Sequence, residues 1–419
     1  MKKTLAAVAV LGAFAGSALA ADVQLYGIVD TGVGYNHVDV DSLDGINIPN
    51  KDDTANAYSF ADSDSFSMMS GQASGSRWGL KGTEDLGNGL TVGFILEDGF
   101  TSDNGADSAP MFNRESSLFV QGGFGKFAMG RMGSLNNGQS SWAKVGMVSA
   151  FGTSDWGGYS AQLSNIFSLA GQWDNMIAYE TPSFAGFKVY AQYAMGSNDN
   201  ENESSSDRYY AIGATYNNGP FAGYFAVDSI NYQTSGVNYQ IFGLKIDDKY
   251  IDDSLTVTLG GSWNFEVAKV YFGAQYFDEV KLSSIGGITK TTVGNVNLSE
   301  IGDLPDITVG ALVKVKGYGI SLTADAPVAG GKAMFGVGYV DAEAADSIQD
   351  ALKDNGINAD LDLKRYVVSV GYDYPFSKRT DVYAVASYMQ DQVDAKFEGS
   401  SEDWDPSAYT FYVGLRHRF

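Results

Sequence analysis

Two histidines, no cysteine and scattered serines leave little from which to build a catalytic centre. His37 lies in a polar stretch and His417 on the apolar face of a terminal segment, and neither has a serine with an orienting partner beside it. The absence of cysteine removes thiolate metal sites, cysteine nucleophiles and disulfides together. Asp39-Val40-Asp41-Ser42-Leu43-Asp44-Gly45 has the spaced carboxylates of a calcium loop, but its glycine is one place late and its twelfth position is Asn50 rather than Glu. Asp52, Asp53, Asp247, Asp248, Asp252 and Asp253 read as solvated loop carboxylates, able at most to bridge divalent ions loosely. Gly122-Gly123-Phe124-Gly125 joins two strand-like segments, which makes it a hairpin turn and not a phosphate cradle. What remains is charge set at a period of two: Arg77 and Lys81 share one face of a segment, and Glu97 takes the matching face of the next. Opposite charges across a narrow aqueous passage make a transverse field that sorts ions and orients dipolar solutes. No enzyme activity, cofactor or resident metal is expected.

Such charges need strands to hold them. In Leu90-Thr91-Val92-Gly93-Phe94-Ile95-Leu96-Glu97 the even positions are all apolar, while the odd ones mix Thr, Gly, Ile and Glu. Residues 187–193 and 255–259 alternate in the same way. A period of two with one apolar face predicts strands with one greasy side. Sixteen are predicted, near 22–35, 76–86, 89–99, 112–121, 126–131, 174–181, 186–195, 208–217, 220–228, 254–264, 267–278, 314–325, 331–341, 364–374, 379–389 and 408–419. The links between them alternate strictly. Tight turns such as Asn217-Asn218-Gly219 take turns with long polar stretches, among them 36–75, 100–111, 132–173, 279–313 and 342–363. All eight prolines fall in links, as strand interiors require. An even strand count with short turns at one end and long loops at the other predicts an all-β fold: a 16-stranded antiparallel transmembrane β-barrel with short periplasmic turns and long extracellular loops. Sixteen strands make a bore wide enough for water. Phe187, Tyr193, Tyr210, Tyr216, Tyr276, Tyr339 and Phe411 fall on outward faces, as interfacial girdles require. Inward-facing Tyr26, Tyr190, Tyr271 and Tyr412 read as polar-tipped wall fillers.

Composition agrees. The 419 residues carry 27 basic and 50 acidic side chains, a net charge of −23, which excludes a nucleic-acid partner. Glycine, at 51 residues, is about 12% of the chain against roughly 7% on average. Lys2 and Lys3, an apolar run from Leu5 to Gly16 and the small-residue site ending at Ala20 predict a cleaved signal peptide over 1–20 and a single barrel domain over 21–419. The run is too short to span a bilayer.

At Leu25-Tyr26-Gly27-Ile28-Val29-Asp30 and from Ser76 through Gly89 the chain resembles the Gram-negative general diffusion porins, in their β-proteobacterial branch. Asn113-Arg114-Glu115, Gly122 to Lys126, Gly130-Arg131 and the ending Gly414-Leu415-Arg416-His417-Arg418-Phe419 extend the likeness to both ends. The resemblance implies a homotrimer whose third loop, 132–173, folds into the pore, and a terminal Phe419 read by the outer-membrane assembly machinery. It implies that Arg77 and Arg114 line the pore, with Glu97 as an inward acid and Arg131 at the start of the inward loop. Strand parity agrees for Arg77 and Glu97; Arg114 and Arg131 need a loop-end position or a bulge. Glu180 stands where the family often has a base.

The expectation is therefore an outer-membrane channel for passive diffusion of ions and small hydrophilic solutes. Arg77, Lys81 and Arg114 would face Asp30, Glu97, Glu180 and Asp155 across its waist, and Glu180 with the acidic excess predicts weak cation preference. Lipid and lipopolysaccharide are its expected surroundings. Two rivals are a substrate-specific channel and an adhesive barrel that binds partners through its loops.

Overall fold

The computed structural model describes residues 23–39, 62–107, 110–196, 207–233, 239–241, 244–246, 248–288, 314–354, 356, 358–397 and 400–419. Residues 1–20 and most of the calcium-like stretch lie outside these, as do Asp52, Asp53 and Asp247.

Alternating sequence becomes strand almost everywhere it was expected. The strands are β1 (Gln24–Asp39), β2 (Ser63–Ser70), β3 (Arg77–Gly87), β4 (Leu90–Gly99), β5 (Glu115–Gly122), β6 (Gly125–Gly133), β7 (Gln172–Glu180), β8 (Phe187–Ala194), β9 (Arg208–Asn218) and β10 (Phe221–Asn231). A small external hairpin, β11 (Tyr239–Ile241) and β12 (Leu244–Ile246), precedes β13 (Leu255–Asn264), β14 (Lys269–Lys281), β15 (Lys314–Val328) and β16 (Gly331–Ala344). Helix α1 (Asp346–Asp354) leads to β17 (Ala359–Pro375), β18 (Thr380–Phe397), β19 (Ser400–Trp404) and β20 (Ser407–Arg418).

Every neighbouring pair is antiparallel, and β20 closes on β1 from Ile28↔Arg418 to Asp39↔Ser407. Two staves are broken in the middle. β2 and β3 both pair with β1, separated by an inward bend over 71–76, and β19 and β20 both pair with β18. Counting each broken stave once gives a closed barrel of sixteen. Three expectations shift here. Residues 63–70 are strand and not loop, β1 runs on past 35 to include His37, and β16 to β18 rise well beyond the expected ends.

The apolar faces point outward. Leu118, Ile212, Leu259, Leu322, Val370 and Val413 are among the exposed aliphatics of the belt. Aromatic rings fringe it at both heights. Near the short turns Phe187 meets Tyr216 at 4.3 Å and Phe221 meets Trp263 at 6.1 Å; toward the long loops Tyr193 meets Tyr210 at 5.1 Å and Tyr339 meets Tyr366 at 5.2 Å. A greasy band bounded by two aromatic rings is what a bilayer demands of a closed barrel.

The interior is not simply polar. Residues 134–171 turn into the barrel and bring their own core: Trp142, Val145, Val148, Phe151, Leu163, Ile166 and Phe167 are at most 2% exposed. The wall makes room for them with glycine. A Cβ on Gly260 would lie 2.7 Å from Val148, and one on Gly338 would lie 2.3 Å from Ile166. On Gly319 it would fall 2.0 Å from the Ile166 carbonyl oxygen. Several wall glycines are therefore a bed for this loop, since interiors at close-packed density tolerate no extra methyl.

Candidate functional site

The inner loop follows the wall in a fixed order, set by polar side chains that project inward at alternate strand positions. Leu135 N–H donates to Gln192 of β8 at 2.9 Å, and Asn136 donates to Asp228 of β10. Ser168 N–H reaches Gln275 of β14 at 2.7 Å, Ala150 N–H reaches Thr323 of β15 at 2.8 Å, and Ala161 N–H reaches Ser369 of β17 at 2.7 Å. Thr410 of β20 donates to the Gly157 carbonyl at 3.2 Å, and Gln72 in the 71–76 bend accepts from Gly157 N–H at 2.8 Å. The loop thus covers the inner faces from β8 round to β20. The inner faces of β3 and β4 are less covered, while on β5 to β7 the start of the loop lies against the wall and Glu115, Phe119, Ala128, Met176 and Ala178 are buried; along this arc stand two groups of basic residues.

One group centres on Glu97. Arg114 donates to it from Nε at 2.7 Å, Tyr26 donates its hydroxyl at 2.9 Å, and Arg77 Nε lies 3.6 Å away. Arg114 also reaches Gln139 of the inner loop at 2.9 Å. Lys81 sits over the Tyr26 ring at 5.0 Å. Two guanidiniums thus share a single carboxylate, with the Lys81 ammonium over the neighbouring Tyr26 ring. Arg114 precedes β5 at its loop end, which frees it from strand parity, while Glu115 behind it is buried and accepts from Ser117, Ser140 and Ser141. Arg131 falls at a register shift between Gly130 and Met132. Its partners are Asp174 at 2.6 Å and the Asn113 carbonyl at 2.8 Å, so it braces the start of the inner loop.

A second group lies one stave further on. Lys126 and Glu180 are opposite each other in the β6–β7 register. Lys188 of β8 takes Glu180 at 3.0 Å, Lys126 rests over the Phe119 and Trp142 rings at 4.3 and 5.0 Å, and Lys144 of the inner loop rests over Tyr190 at 5.5 Å. Burial between loop and wall pushes the Lys144 ammonium below its ordinary value. Lys188 was legible: its parity in residues 187–193 matches that of Tyr190 and Gln192. Lys126 acquires meaning only once its register partner is known.

Two expected acids take different places. Asp30 is fully buried, holding the 71–76 bend through Ala73 N–H at 3.0 Å and Ser74 N–H at 2.7 Å and accepting from the Tyr383 hydroxyl. It sets the backbone and does not face water, because three donors converge on it. Asp155 lies exposed on the inner loop. A fully buried pair, Arg365 and Asp391, escaped the sequence reading. Arg365 grips Asp391 at 2.7 and 2.9 Å and also donates to the Asn165 carbonyl at the loop tip and to that of Gly286. Its members lie on neighbouring strands, and nothing in a single sequence signals that pairing. Phe419 exchanges two 3.1 Å backbone hydrogen bonds with Gly27 and leaves its ring half exposed.

A family profile described as Gram-negative porin matches residues 6–394. An outer membrane porin protein of Bordetella pertussis is 32% identical over the full length of both chains, and outer membrane porin protein 32 of Delftia acidovorans is 29% identical over the same span. Among solved structures, an anion-selective porin from Comamonas acidovorans superposes with a TM-score of 0.60 at 24% identity, over 96% of this chain and all of that one. Weak cation preference, expected from Glu180 and the acidic excess, is not supported: Glu180 is paired with Lys188, and Glu97 is outnumbered by its basic neighbours.

Proposed function

The chain belongs to the Gram-negative porins, a family of the outer membrane, and on that footing we propose that it forms a water-filled channel for passive diffusion of ions and small hydrophilic solutes, with a waist that favours anions. The observation that carries the ion preference is the unequal count of charges along the arc from β3 to β8. Arg77, Arg114 and Lys81 gather around Glu97, and Lys126, Lys144 and Lys188 around Glu180. Glu115 is buried and satisfied by Ser117 of β5 and by Ser140 and Ser141 of the inner loop. Low-dielectric walls focus such a field on the passage. The name of the Comamonas structure agrees with this sign.

The rest of the reading follows the family. Residues 1–20 act as the cleaved export signal, 21–419 form the single barrel domain, and the barrel assembles as a homotrimer among lipid and lipopolysaccharide. Phe419, half exposed at the closing seam, serves as the assembly signal. The test is a planar bilayer recording in a salt gradient. We expect steady conductance at low voltage and a reversal potential of the anion-preferring sign. Clear cation preference overturns the waist assignment, and a membrane-inserted sample that never conducts overturns the channel.

A further inference from the structure

A cavity of about 240 Å3 lies between the returning end of the inner loop and the extracellular ends of β10, β13 and β14. Its charged and aromatic lining is Trp173, Asp207, Asp228, Tyr232 and Lys281. Asp228 is buried and accepts from Asn136, and Asp207 accepts from Gln233 N–H at 2.7 Å. A carboxylate can accept about four hydrogen bonds, so both retain capacity. Opposite in sign stands Lys281, whose ammonium lies 5.0 Å from the centre of the Tyr232 ring. The Trp173 indole N–H is buried and has no partner among the described residues. Leu169 and Ile230 supply an apolar flank.

We propose that this cavity binds a free α-amino acid with an uncharged side chain, its ammonium held by Asp207 and Asp228, its carboxylate by Lys281 and the Trp173 indole N–H, and its side chain against Leu169 and Ile230. The proposal rests on the diffusion-channel reading, because such a solute reaches the cavity through the outer mouth and is held there before the waist. The chemistry selects a zwitterion. A simple cation leaves the indole N–H and the lysine unanswered, a simple anion meets two carboxylates, and a neutral sugar covers charges without pairing them. The volume is below the roughly 300 Å3 at which drug-sized sites begin, which suits a solute of about ten non-hydrogen atoms.

The test is calorimetric titration of the full chain in detergent with L-valine, L-valinamide and N-acetyl-L-valine, with potassium chloride conductance measured on the same preparation. Valine should bind saturably, and each analogue, lacking one charge, at least about ten-fold more weakly. Asp228→Asn should weaken valine about ten-fold. Lys281→Met, at the half-buried rim, should weaken valine and narrow its advantage over valinamide, which keeps the test open if the buried variant does not fold. Equal affinity for valine and either analogue, or a folded Lys281→Met protein that discriminates as before, overturns the site. A conducting preparation that does not bind valine overturns the cavity assignment alone. One that binds valine in this pattern yet carries no current overturns the channel reading and leaves the cavity site standing.

Discussion

Replacing Asp391 by asparagine isolates the clamp on the inner loop. Arg365 and Asp391 are both fully buried, joined by bonds of 2.7 and 2.9 Å, and the same guanidinium holds the Asn165 carbonyl at 2.9 Å and that of Gly286. Asparagine keeps the size and removes the charge, leaving a buried guanidinium with no counter-charge. Breaking one side of such a pair costs about 3–5 kcal/mol. A hydrogen bond from a charged donor contributes only about 1.5–3 kcal/mol. Two such bonds, to Asn165 and Gly286, are lost if Arg365 swings toward water, about 3–6 kcal/mol together, so releasing the loop tip and keeping the buried charge lie close in energy while the β17–β18 ladder stays intact. We therefore expect single-channel current that flickers and reaches higher levels than wild type, with little change in the denaturant midpoint of the barrel. The double variant Arg365→Met with Asp391→Leu has no guanidinium to hold the Asn165 and Gly286 carbonyls, so it should flicker at least as much as Asp391→Asn, at less cost to stability. A single or a double variant as quiet as wild type refutes the reasoning.

Glu180→Gln leaves Lys188 without its carboxylate, so anion preference should rise in reversal-potential measurements; a unit charge acting on an ion across about 8 Å of water contributes about 0.5 kcal/mol, roughly a two-fold change in permeability ratio. A fall would restore Glu180 as an open acid. Gly319→Ala places a Cβ against the Ile166 carbonyl, should cost about 1–3 kcal/mol in thermal or denaturant unfolding, and should press the loop toward the axis and lower conductance. Lys144 is charged below its lowered pKa and neutral above it. As pH rises through the range just under the ordinary lysine value of about 10.4, anion preference should decline by one charge, and Lys144→Gln should remove that step from the pH profile.

The barrel was legible because its physics is local. A lipid-facing wall writes its period of two directly into residues such as 90–97 and 255–259, and tight turns announce themselves in glycine and asparagine. The misplacements share a cause. Residues 63–70 read as loop because Ser63-Asp64-Ser65-Phe66-Ser67 is polar on both faces, and only pairing with β1 makes it a strand. Sixteen strands predict a bore wide enough for water, yet the loop supplies an apolar core within it. Val145, Val148, Leu163 and Ile166 sit in a glycine- and serine-rich stretch without strand or helix periodicity, and what buries them is wall contributed from far along the chain. At the waist, parity placed Arg77, Lys81 and Glu97 on inward faces. Who pairs with whom depends on register and bulges, which is why Glu180 read as an open acid and Asp30 as a lumen residue.

The route of the inner loop also fixes an order of events. Residues 134–171 lie early in the chain, but their anchors on Thr323, Arg365, Ser369 and Thr410 come from β15, β17 and β20. Until those staves exist the stretch from Ala150 to Asn165 lacks its anchors, and contacts so distant in sequence form late. The bore can therefore reach its working width only after the seam between β1 and β20 has closed. An unfinished barrel would be a wide leak, and the finished one narrows itself. Completion of the wall and calibration of the passage are a single step, so a chain lacking its last stave cannot pass as a functional sieve.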